Sequence, residues 1–531
     1  MVDGVVVAAC EEERFTRNKR ALREAANHSV QACLDTAGLD LADIDCLAVS
    51  WVPGLAPHDR RLTDSLDRLT SSDRFLDKRL PEIRYVPHHL AHAALGFHTS
   101  GFAEAAVIVA DGQGEDVATT VFRAEGSRLV EVARFGIADS LGFFYAAVTR
   151  YLGFTAGSAG KTMGLAPYGQ ITYEFPELAT HQDGYRITMP GADKPERMRG
   201  WLERLDEVFG LAPQGVPAMD RSTDLLRSPV TLLRHHQEAA ASAQAALERI
   251  LSHVAEIALA STHSRNLVLS GGVALNCSAN GRLREQFPSA DVFVNGAAHD
   301  GGTALGAALL VAAENGELPP PERSRSLFLG PEFDPAPAIA WARRSGLQVE
   351  TPSAGIGVAC ARRLDASQVG AWFRGRAEYG PRALGGRSII ARSDSREVAD
   401  RVNRIKGREC WRPLAPALSA STAEAFGLTG KPLDFMIEAH WITDEALAQP
   451  LAGIMHVDRS VRPMVVGEKG HPFSELLAGA AEVSGLGTVT NTSFNLESEP
   501  IVNSPIDALR TFVASDLDFL ALGEVIISKP S

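Results

Sequence analysis

The stretch PHHLAHAALGF (residues 87–97) decides how the rest of the chain is interpreted. As a helix, it places Pro87 in the first turn, where the missing backbone N–H costs nothing. His88 and His92 are then four residues apart, and His89 and His92 three apart, so either pair can share one face. Two imidazoles one turn apart provide half of a metal site. The alternative is an ordinary helix start with partly exposed histidines.

Two aspartates at strand ends would complete such a site. Asp111 ends the buried strand VIVAD, Asp300 follows a second predicted strand, and each is followed by glycine. With His88 and His92 they would form a 2-His-2-carboxylate set, a donor set suited to Fe(II), Mn(II) or Zn(II). An aspartate after a strand is also a common turn or helix cap. The sequence leaves the choice of metal open.

Two units of strand, glycine turn and helix, at 267–283 and 291–313, follow a meander of three predicted strands. This pattern is typical of an actin-like nucleotide-binding lobe, although many α/β folds share it. The SGGVALN turn would leave backbone N–H groups facing an anion or nucleotide, with Gly271, Gly272 and Asn276 as its candidate binding residues. A tight strand-to-helix turn is the alternative interpretation.

A dense group of cationic side chains marks the C-terminal region: Arg374, Arg376, Arg382, Arg387, Arg404, Lys406, Arg408 and Arg412. These residues are interleaved with glycine, proline and aromatic residues, unlike a solvated helix face. Guanidinium groups bind phosphates bidentately, so a nucleotide triphosphate or an acyl phosphate is the expected ligand. Asn491 and Ser493 add short polar groups that could orient a phosphate.

Composition limits the remaining classes of function. A chain of 531 residues exceeds one core, so two or three domains are expected. A net charge of −13 argues against general nucleic-acid or anionic-membrane binding. The six cysteines form no CxxC pair, so a disulfide scaffold is not expected and a reducing cytoplasm fits. No apolar run is long enough to span a bilayer. The variable segment 170–230 is interpreted as an insertion that shapes a substrate mouth.

The motifs together resemble the O-carbamoyltransferase family that includes antibiotic-tailoring and nodulation carbamoyltransferases. In chain order they are EEERFTRNK (11–19), HHLAHA (88–93), DGQGE (111–115), SLGFFY (140–145), GKTMGLAPYG (160–169), SGGVALN (270–276), GPRALGGRS (380–388), RPLAP (412–416) and NTSFN (491–495). Each motif alone is modest evidence. The ordered set is specific and extends over almost the whole chain.

The resemblance implies a two-lobed, actin-like ASKHA domain at 1–345, similar to the universal tRNA-threonylcarbamoylation protein, and a YrdC-like α/β domain at 346–531. The C-terminal domain would form carbamoyl-adenylate from carbamoyl phosphate and ATP, with Mg²⁺ on the nucleotide. The N-terminal domain would transfer the carbamoyl group to a hydroxyl of a small-molecule acceptor, such as a secondary metabolite. The protein would be a cytoplasmic one-carbon transferase, and a homodimer is compatible with the sequence.

The resemblance also assigns roles to individual residues. His88, His92 and Asp300 match metal ligands, commonly of iron, and Asp111 matches the residue beside the metal and the carbamoyl group. Lys19 and the Leu141-Gly142 turn match positions around the adenylate. Lys19 and Asp111 are the two catalytic candidates. The positions that match the nucleotide and carbamoyl-phosphate site are Arg382, Arg412, Arg462, Asn491 and Ser493.

The sequence departs from the family pattern in two places. The family begins with a strand and a His-Asp turn, whose histidine is a candidate general base, whereas this sequence begins at the Val2-Asp3-Gly4 hairpin. We expect the gene to start about 15–20 residues upstream, because loss of a sheet strand would expose an apolar edge. Ala159 also stands where many relatives carry a carboxylate, so the acceptor is not transferred by analogy.

Two other interpretations remain. An ASKHA phosphotransferase or ATPase could use the SGGVALN lobe, but it would need neither the histidine pair nor the C-terminal arginines. A non-catalytic, N-terminally truncated homologue is the other. A hydrogenase-maturation carbamoyltransferase is disfavoured, because its zinc-finger cysteine pairs and acylphosphatase region are missing.

Overall fold

The computed structural model describes residues 1–21, 24–55, 69, 81–155, 157–189, 191, 193–212, 232–428, 433–467, 470–497 and 499–530. Within these residues a five-stranded sheet forms the centre of the N-terminal half and an eight-stranded sheet that of the C-terminal half. The predicted α/β class is confirmed. The helical segment predicted before residue 80 lies almost entirely outside the described residues.

The strands are β1 Cys46–Val49, β2 Glu82–Tyr85, β3 Glu104–Ala110, β4 Val117–Glu125, β5 Arg128–Gly136, β6 Leu178–His181, β7 Gly184–Ile187, β8 Asn266–Ser270, β9 Asp291–Val294, β10 Gln348–Glu350, β11 Gly370–Phe373, β12 Arg387–Ala391, β13 Ala415–Ser419, β14 His440–Trp441, β15 Ser460–Val461, β16 Met464–Val466, β17 Thr488–Ser493, β18 Phe519–Leu522 and β19 Val525–Ser528. The α-helices are α1 Glu13–Thr16, α2 Asn27–Ala37, α3 His88–Ser100, α4 Leu141–Tyr151, α5 Ala159–Leu165, α6 Lys194–Phe209, α7 Arg234–Thr262, α8 Cys277–Gln286, α9 Thr303–Glu314, α10 Ala336–Arg344, α11 Ile356–Asp365, α12 Arg396–Ile405, α13 Ala420–Ala425, α14 Glu445–Ala448, α15 Ser474–Ser484 and α16 Pro505–Val513.

The five-stranded sheet has the order β5-β4-β3-β8-β9. β4 is antiparallel to both β3 and β5, whereas β3, β8 and β9 are parallel. The two predicted units of strand, glycine turn and helix are therefore confirmed. The carboxyl ends of β3, β5, β8 and β9 meet at one edge of the sheet, which is where ligands bind in open α/β sheets.

Helix α3 lies close to both β8 and α9. A Cβ on Gly96 would lie 2.6 Å from the side chain of Val268, and one on Gly306 would lie 2.0 Å from the carbonyl oxygen of Ala91. Glycine at these two positions thus allows α3 to pack at backbone distance. This packing fixes the histidine pair of α3 relative to the sheet.

The N-terminal segment departs from the prediction in one respect. The Val2-Asp3-Gly4 turn forms as predicted and is closed by paired backbone hydrogen bonds of 2.9 Å. The VVVAA segment (5–9), which was predicted as a strand, joins no sheet among the described residues beyond the single bridge of that turn. Its Ala9 amide donates instead to the carbonyl oxygen of Leu329. The β-branched run is therefore extended, but its backbone bonds to a loop.

The eight-stranded sheet has the order β10-β19-β18-β11-β12-β17-β13-β16 and mixes parallel and antiparallel pairs. α10 packs against its core through Ala338 and Ala342. α11 and α15 approach closely, since a Cβ on Gly479 would lie 2.6 Å from the backbone of Gly357. None of the helices in the described ranges combines the length and the apolar surface that crossing a bilayer requires.

Polar contacts join the two halves. Lys161 on α5 forms an ion pair of 2.7 Å with Glu409. The side-chain amide of Asn280 on α8 donates to the carbonyl oxygen of Ile437 at 2.7 Å. Helices α5 and α8 therefore lie directly against the C-terminal half. α5 carries part of the GKTMGLAPYG motif, and α8 follows the SGGVALN motif.

Candidate functional site

The histidine pair of α3 is buried in the N-terminal half. The predicted helix forms as α3 and begins at His88, so Pro87 is its N-cap rather than a residue of its first turn. The Nε2 atoms of His88 and His92 lie 3.1 Å apart, and their rings are perpendicular. Nδ1 of His88 faces the carbonyl oxygen of Ser50 at 3.4 Å, which orients the ring and leaves Nε2 for another partner. The alternative of partly exposed histidines is wrong, because both rings are buried.

Two carboxylates reach the same point. Oδ2 of Asp111 lies 3.3 Å from Nε2 of His88 and 3.6 Å from Nε2 of His92. Oδ1 of Asp300 lies 3.7 Å and 3.6 Å from the same two atoms. The four donor atoms lie within 4.8 Å of one another, and we call this group the His–Asp cluster. Asp111 is buried, whereas the side chain of Asp300 is 72% exposed, so the cluster opens to solvent on that side.

Backbone amides orient Asp111. Its Oδ1 accepts from the N–H of Gly112 at 2.7 Å and of Gly272 at 3.3 Å, so Oδ2 faces the histidines. A Cβ on Gly272 would lie 2.8 Å from this oxygen, and one on Gly142 would lie 2.6 Å from the amide of Gly112. The Leu141 side chain is fully buried. The predicted glycine turns therefore pack around the carboxylate, and Leu141 presents no exposed surface to a ligand.

The charges in the His–Asp cluster are strongly linked. Burial lowers the pKa of His88, but hydrogen bonds and charges from Asp111 and Asp300 outweigh burial and raise this pKa to about 10. Burial raises the pKa of Asp111, while His88 and His92 outweigh it and bring the pKa below its ordinary value. The two carboxylates thus stabilise a positive charge on the histidines. A divalent cation bound at the same place would be stabilised by the same two carboxylates. The donor set fits such a cation.

His89 has a different environment. Its Nδ1 lies 2.8 Å from Oγ1 of Thr120, outside the His–Asp cluster. Burial lowers the pKa of His89 to about 3, so its ring stays neutral. Of the two helical pairs that the sequence leaves open, the structure brings His88 and His92 together with the aspartates.

Sequence analysis overlooked Glu115. Its Oε1 accepts from the backbone N–H groups of His88 and Val52, each at 3.0 Å. It thereby satisfies a donor at the start of α3, which has no side-chain cap of its own. The signal was present in the DGQGED segment, where Glu115 follows Asp111 at a short distance in sequence.

Asn276 and Gly271 build the turn itself. Oδ1 of Asn276 accepts from the amide of Ala279 at 3.0 Å, and the side chain exchanges two hydrogen bonds with Gln244. Asn276 is thus an N-cap for α8 whose polar atoms are engaged within the protein. Gly271 has a φ of +88°, and a Cβ there would lie 2.2 Å from the carbonyl oxygen of Ala110. Glycine is required at this position by both conformation and space.

A second site lies in the C-terminal half. It comprises five neighbouring cations, which we call the cationic cluster: Arg382, Lys406, Arg408, Arg412 and Arg462. Burial, followed by the charge of Arg462, lowers the pKa of Arg382 to about 9. Nε of Arg382 is buried and, within the described residues, has no hydrogen-bond partner. Lys406 is buried and the four arginines are partly buried, and such mutually repelling cations fit an anionic ligand, which would remove the repulsion.

Short polar side chains surround this cluster. Nζ of Lys406 donates to the carbonyl oxygen of Ser493 and lies 3.3 Å from its hydroxyl. Asn491 is buried, and its Oδ1 accepts no hydrogen bond among the described groups. Lys19 donates to the carbonyl oxygen of Glu497 at 3.2 Å, and its charge contributes to lowering the pKa of Lys406. The structure thus brings the predicted residues Ser493, Asn491 and Lys19 together with the cationic cluster.

The other cations of the C-terminal group do not converge. Arg387 is fully buried and donates to four backbone carbonyls, and Arg376 donates to three. Arg374 pairs with two glutamates, and Arg404 is exposed on α12. These four lie outside the cationic cluster and engage carbonyls, carboxylates or solvent, although Nη2 of the buried Arg387 has no hydrogen-bond partner among the described groups.

The loop at 271–277 contacts both the His–Asp cluster and the C-terminal half. Gly272 donates to Asp111, and Cys277 follows at the start of α8. The backbone of Cys277 accepts from Ala439 in the C-terminal half, and its thiol lies close enough to Arg382 to affect the pKa of that guanidinium. The loop at 271–277 therefore connects the His–Asp cluster with the C-terminal half.

Two known family models match this chain. The family model of the carbamoyltransferase N-terminus matches residues 65–309, and that of the carbamoyltransferase C-terminus matches 361–529. The chain belongs to the carbamoyltransferase family. The two models match the two halves of the α/β fold, and the enzyme is a carbamoyltransferase, as predicted.

The carbamoyltransferase is similar to nodulation proteins over most of its length. It is 34% identical to nodulation protein NolNO of Sinorhizobium fredii, over 99% of this chain and 78% of the relative. It is 35% identical to nodulation protein NolO of Bradyrhizobium diazoefficiens, over 83% and 78% of the two chains. Identity to nodulation protein U of Rhizobium tropici is 28%, over 93% and 88%.

Two solved structures show weaker similarity. Full-length HypF in its phosphate- and nucleotide-bound form has a TM-score of 0.26 and 15% identity, covering 49% of this chain and 38% of its own. HypF of T. kodakarensis has a TM-score of 0.30 and 18% identity, covering 50% and 40%. These scores are too low to support an argument about the site.

Proposed function

We propose that this carbamoyltransferase is an ATP-dependent O-carbamoyltransferase, with a transfer domain at 1–345 and an activating domain at 346–531. The observation that carries the proposal is the loop at 271–277, which donates a hydrogen bond to Asp111 of the His–Asp cluster and accepts one from the amide of Ala439 in the C-terminal half. An enzyme that activates a group at one site and transfers it at another needs such proximity.

Activation would take place at the cationic cluster. Carbamoyl phosphate and ATP would yield carbamoyl-adenylate, with one water consumed and phosphate and pyrophosphate released. Arg382, Arg412 and Arg462 would neutralise the phosphate charge, and Mg²⁺ would accompany the nucleotide. Asn491, Ser493 and Lys19 would orient the phosphates. The repulsion between these partly buried cations supports this role, because phosphate binding would relieve it.

Transfer would take place at the His–Asp cluster. His88, His92, Asp111 and Asp300 would hold a divalent cation, for which we propose iron(II) from the resemblance. A cation bound there would polarise the carbamoyl carbonyl as a Lewis acid. The amides of Gly112 and Gly272 hold Asp111 in place for this task. The acceptor would be a hydroxyl of a small molecule, and a short path between the sites would protect the labile adenylate from water.

The products of ATP consumption test the proposal. The purified enzyme is given ATP with and without carbamoyl phosphate, and the products are separated by ion-exchange chromatography. We expect AMP-linked products and pyrophosphate, formed only with carbamoyl phosphate. ADP formed without carbamoyl phosphate would instead indicate a phosphotransferase or ATPase of the actin-like class. Absence of ATP consumption would indicate a non-catalytic homologue.

A further inference from the structure

A solvent-open pocket lies at the carboxyl end of β5, against the start of α4 and of α6. The space in and around it, open solvent included, is about 320 Å³. Phe143, Met198 and Trp201 contribute apolar surface to its wall. Trp201 is buried, so the pocket has a rigid apolar base. α6 belongs to the segment that the sequence indicated as a substrate mouth.

Two cations stand at this apolar wall. Nζ of Lys194 lies 3.9 Å from the centroid of the Phe143 ring. Arg197 donates through one nitrogen to the carbonyl oxygen of Ala138 at 3.0 Å, which fixes the guanidinium at the pocket. The described residues that line the pocket include no aspartate or glutamate. The pocket therefore combines aromatic surface with positive charge.

The pocket is next to the His–Asp cluster. The hydroxyl of Ser140, in the pocket lining, donates to the carbonyl oxygen of Gly112 at 2.7 Å and lies 3.3 Å from that of Asp111. Phe143 lies 3.5 Å from the position of a Cβ on Gly112. The pocket wall thus contacts the residue that follows Asp111. Both features lie at the same edge of the sheet, since β3 and β5 end there.

We propose that this pocket holds the acceptor, and that the acceptor carries an apolar, ring-containing skeleton with an anionic substituent such as a carboxylate. The inference rests on the proposed function, because it gives the class of molecule whose hydroxyl receives the carbamoyl group. The aromatic wall would hold the skeleton, and Lys194 and Arg197 would bind the anion. An acceptor of the same size with a neutral or cationic substituent would lack the interaction with Lys194 and Arg197.

Calorimetric titration with three probes tests the pocket directly. The probes share one ring system and differ in charge: 2-naphthoate, 2-naphthylmethanol and 2-naphthylmethylamine. We expect 2-naphthoate to bind the wild type most tightly. In Arg197→Gln its affinity should fall about 5- to 20-fold, as for loss of one charged hydrogen bond near the surface. Arg199→Gln, on the exposed face of the same helix and outside the pocket lining, is the matched control and should bind like the wild type.

Two results would overturn the pocket assignment. One is equal binding of the anionic and neutral probes by the wild type, and the other is unchanged binding of 2-naphthoate by both Arg197→Gln and Lys194→Gln. Displacement of 2-naphthoate by ATP would also overturn it, because the pocket would then serve the nucleotide. Circular dichroism confirms that the variants are folded.

A separate assay distinguishes this failure from failure of the proposed function. Pyrophosphate release that depends on carbamoyl phosphate is measured without any acceptor. We expect the wild type to release pyrophosphate under these conditions, since adenylation is assigned to the cationic cluster and needs no acceptor. If the wild type itself releases no pyrophosphate, the proposed function fails, and the acceptor assignment fails with it. If the release occurs but the probes show no charge preference, only the acceptor assignment fails.

Discussion

The guanidinium of Arg14 donates a hydrogen bond of 2.7 Å to the carbonyl oxygen of Gly380, and so joins the EEERF motif to the GPRALGG loop. The same guanidinium pairs with Glu11 at 3.1 Å. The other oxygen of Glu11 lies 3.1 Å from Nε2 of His299, which precedes Asp300. A continuous set of polar contacts therefore runs from the edge of the His–Asp cluster into the C-terminal half.

Removal of Arg14 should destabilise the protein strongly. Arg14 is buried, and Arg14→Ala leaves the carboxylate of Glu11, 11% exposed, with His299 as its one remaining charged partner among the described residues. Loss of one partner of a buried ion pair costs about 3–5 kcal/mol. Urea denaturation followed by circular dichroism measures the free energy of unfolding. Arg199→Ala, exposed on α6, is the control and should change it little. Equal losses in the two variants would contradict the bracing role of Arg14.

Removal of His92 should separate the two half-reactions. His92→Ala deletes one imidazole of the His–Asp cluster, so we expect loss of bound metal and of carbamoyl transfer. Carbamoyl-adenylate formation should continue, since the cationic cluster is untouched. Plasma mass spectrometry measures the metal, and pyrophosphate release measures adenylation. His98→Ala, on the same helix but outside the cluster, is the control. Loss of adenylation in His92→Ala alone would contradict the division of labour.

His471 should make stability depend on pH. Its Nδ1 accepts from the amide of Phe473 at 3.1 Å, and burial lowers its pKa from 6.5 to about 4. Between these two values the unfolded chain binds a proton that the folded protein does not, so the free energy of unfolding falls as the pH falls through this window. The asparagine in His471→Asn keeps a hydrogen-bond acceptor but does not titrate. Over this pH window the variant's free energy of unfolding should therefore fall by up to about 3 kcal/mol less than that of the wild type. Urea titrations at both ends of the window measure the difference, and His263→Asn, at an exposed position, should keep the wild-type slope.

The sequence predicted the N-terminal site better than the C-terminal one. The period of a helix fixes His88 and His92 on one face, and parallel strands place Asp111 and Asp300 at one sheet edge. The function of a guanidinium, by contrast, depends on which oxygens lie around it in space. Arg387 and Arg382 are five residues apart in one glycine-rich loop and strand, yet Arg387 donates to four backbone carbonyls while Arg382 lies beside the charges of Arg462 and Arg412.

Local capping also escaped the sequence analysis. Asn276 was expected to bind a ligand, but it caps α8 and pairs with Gln244, a residue of a distant helix. Glu115 was overlooked, because its task at the start of α3 depends on how the β3–β4 turn folds back. The VVVAA segment has strand propensity, but a strand also needs the edge of a neighbouring strand to pair with. The Ala9 amide donates instead to the carbonyl oxygen of Leu329 in a loop. These outcomes depend on tertiary contacts that local patterns do not encode.

Removal of Arg382 should give the reverse of the His92 result. Arg382→Ala deletes a buried cation of the cationic cluster, so adenylation should fall by at least about 100-fold, the usual loss for one group that stabilises developing charge. Metal content should stay at the wild-type level. Arg404→Ala is the matched control, because Arg404 belongs to the same stretch of sequence but is exposed. Persistent adenylation in Arg382→Ala would contradict the assignment of the activating site.

A single methyl group at Gly272 should disable the His–Asp cluster without removing any donor. In Gly272→Ala the new Cβ would lie 2.8 Å from Oδ1 of Asp111, so the carboxylate must move away from the histidines. Disturbing the contacts that orient a ligand typically costs about 10- to 100-fold in metal affinity. Gly160→Ala is the matched control, since its Cβ would meet nothing within 4 Å and the residue lies in α5. Metal titration of both variants measures the effect. Equal affinity in both would show that Gly272 is not needed to position Asp111.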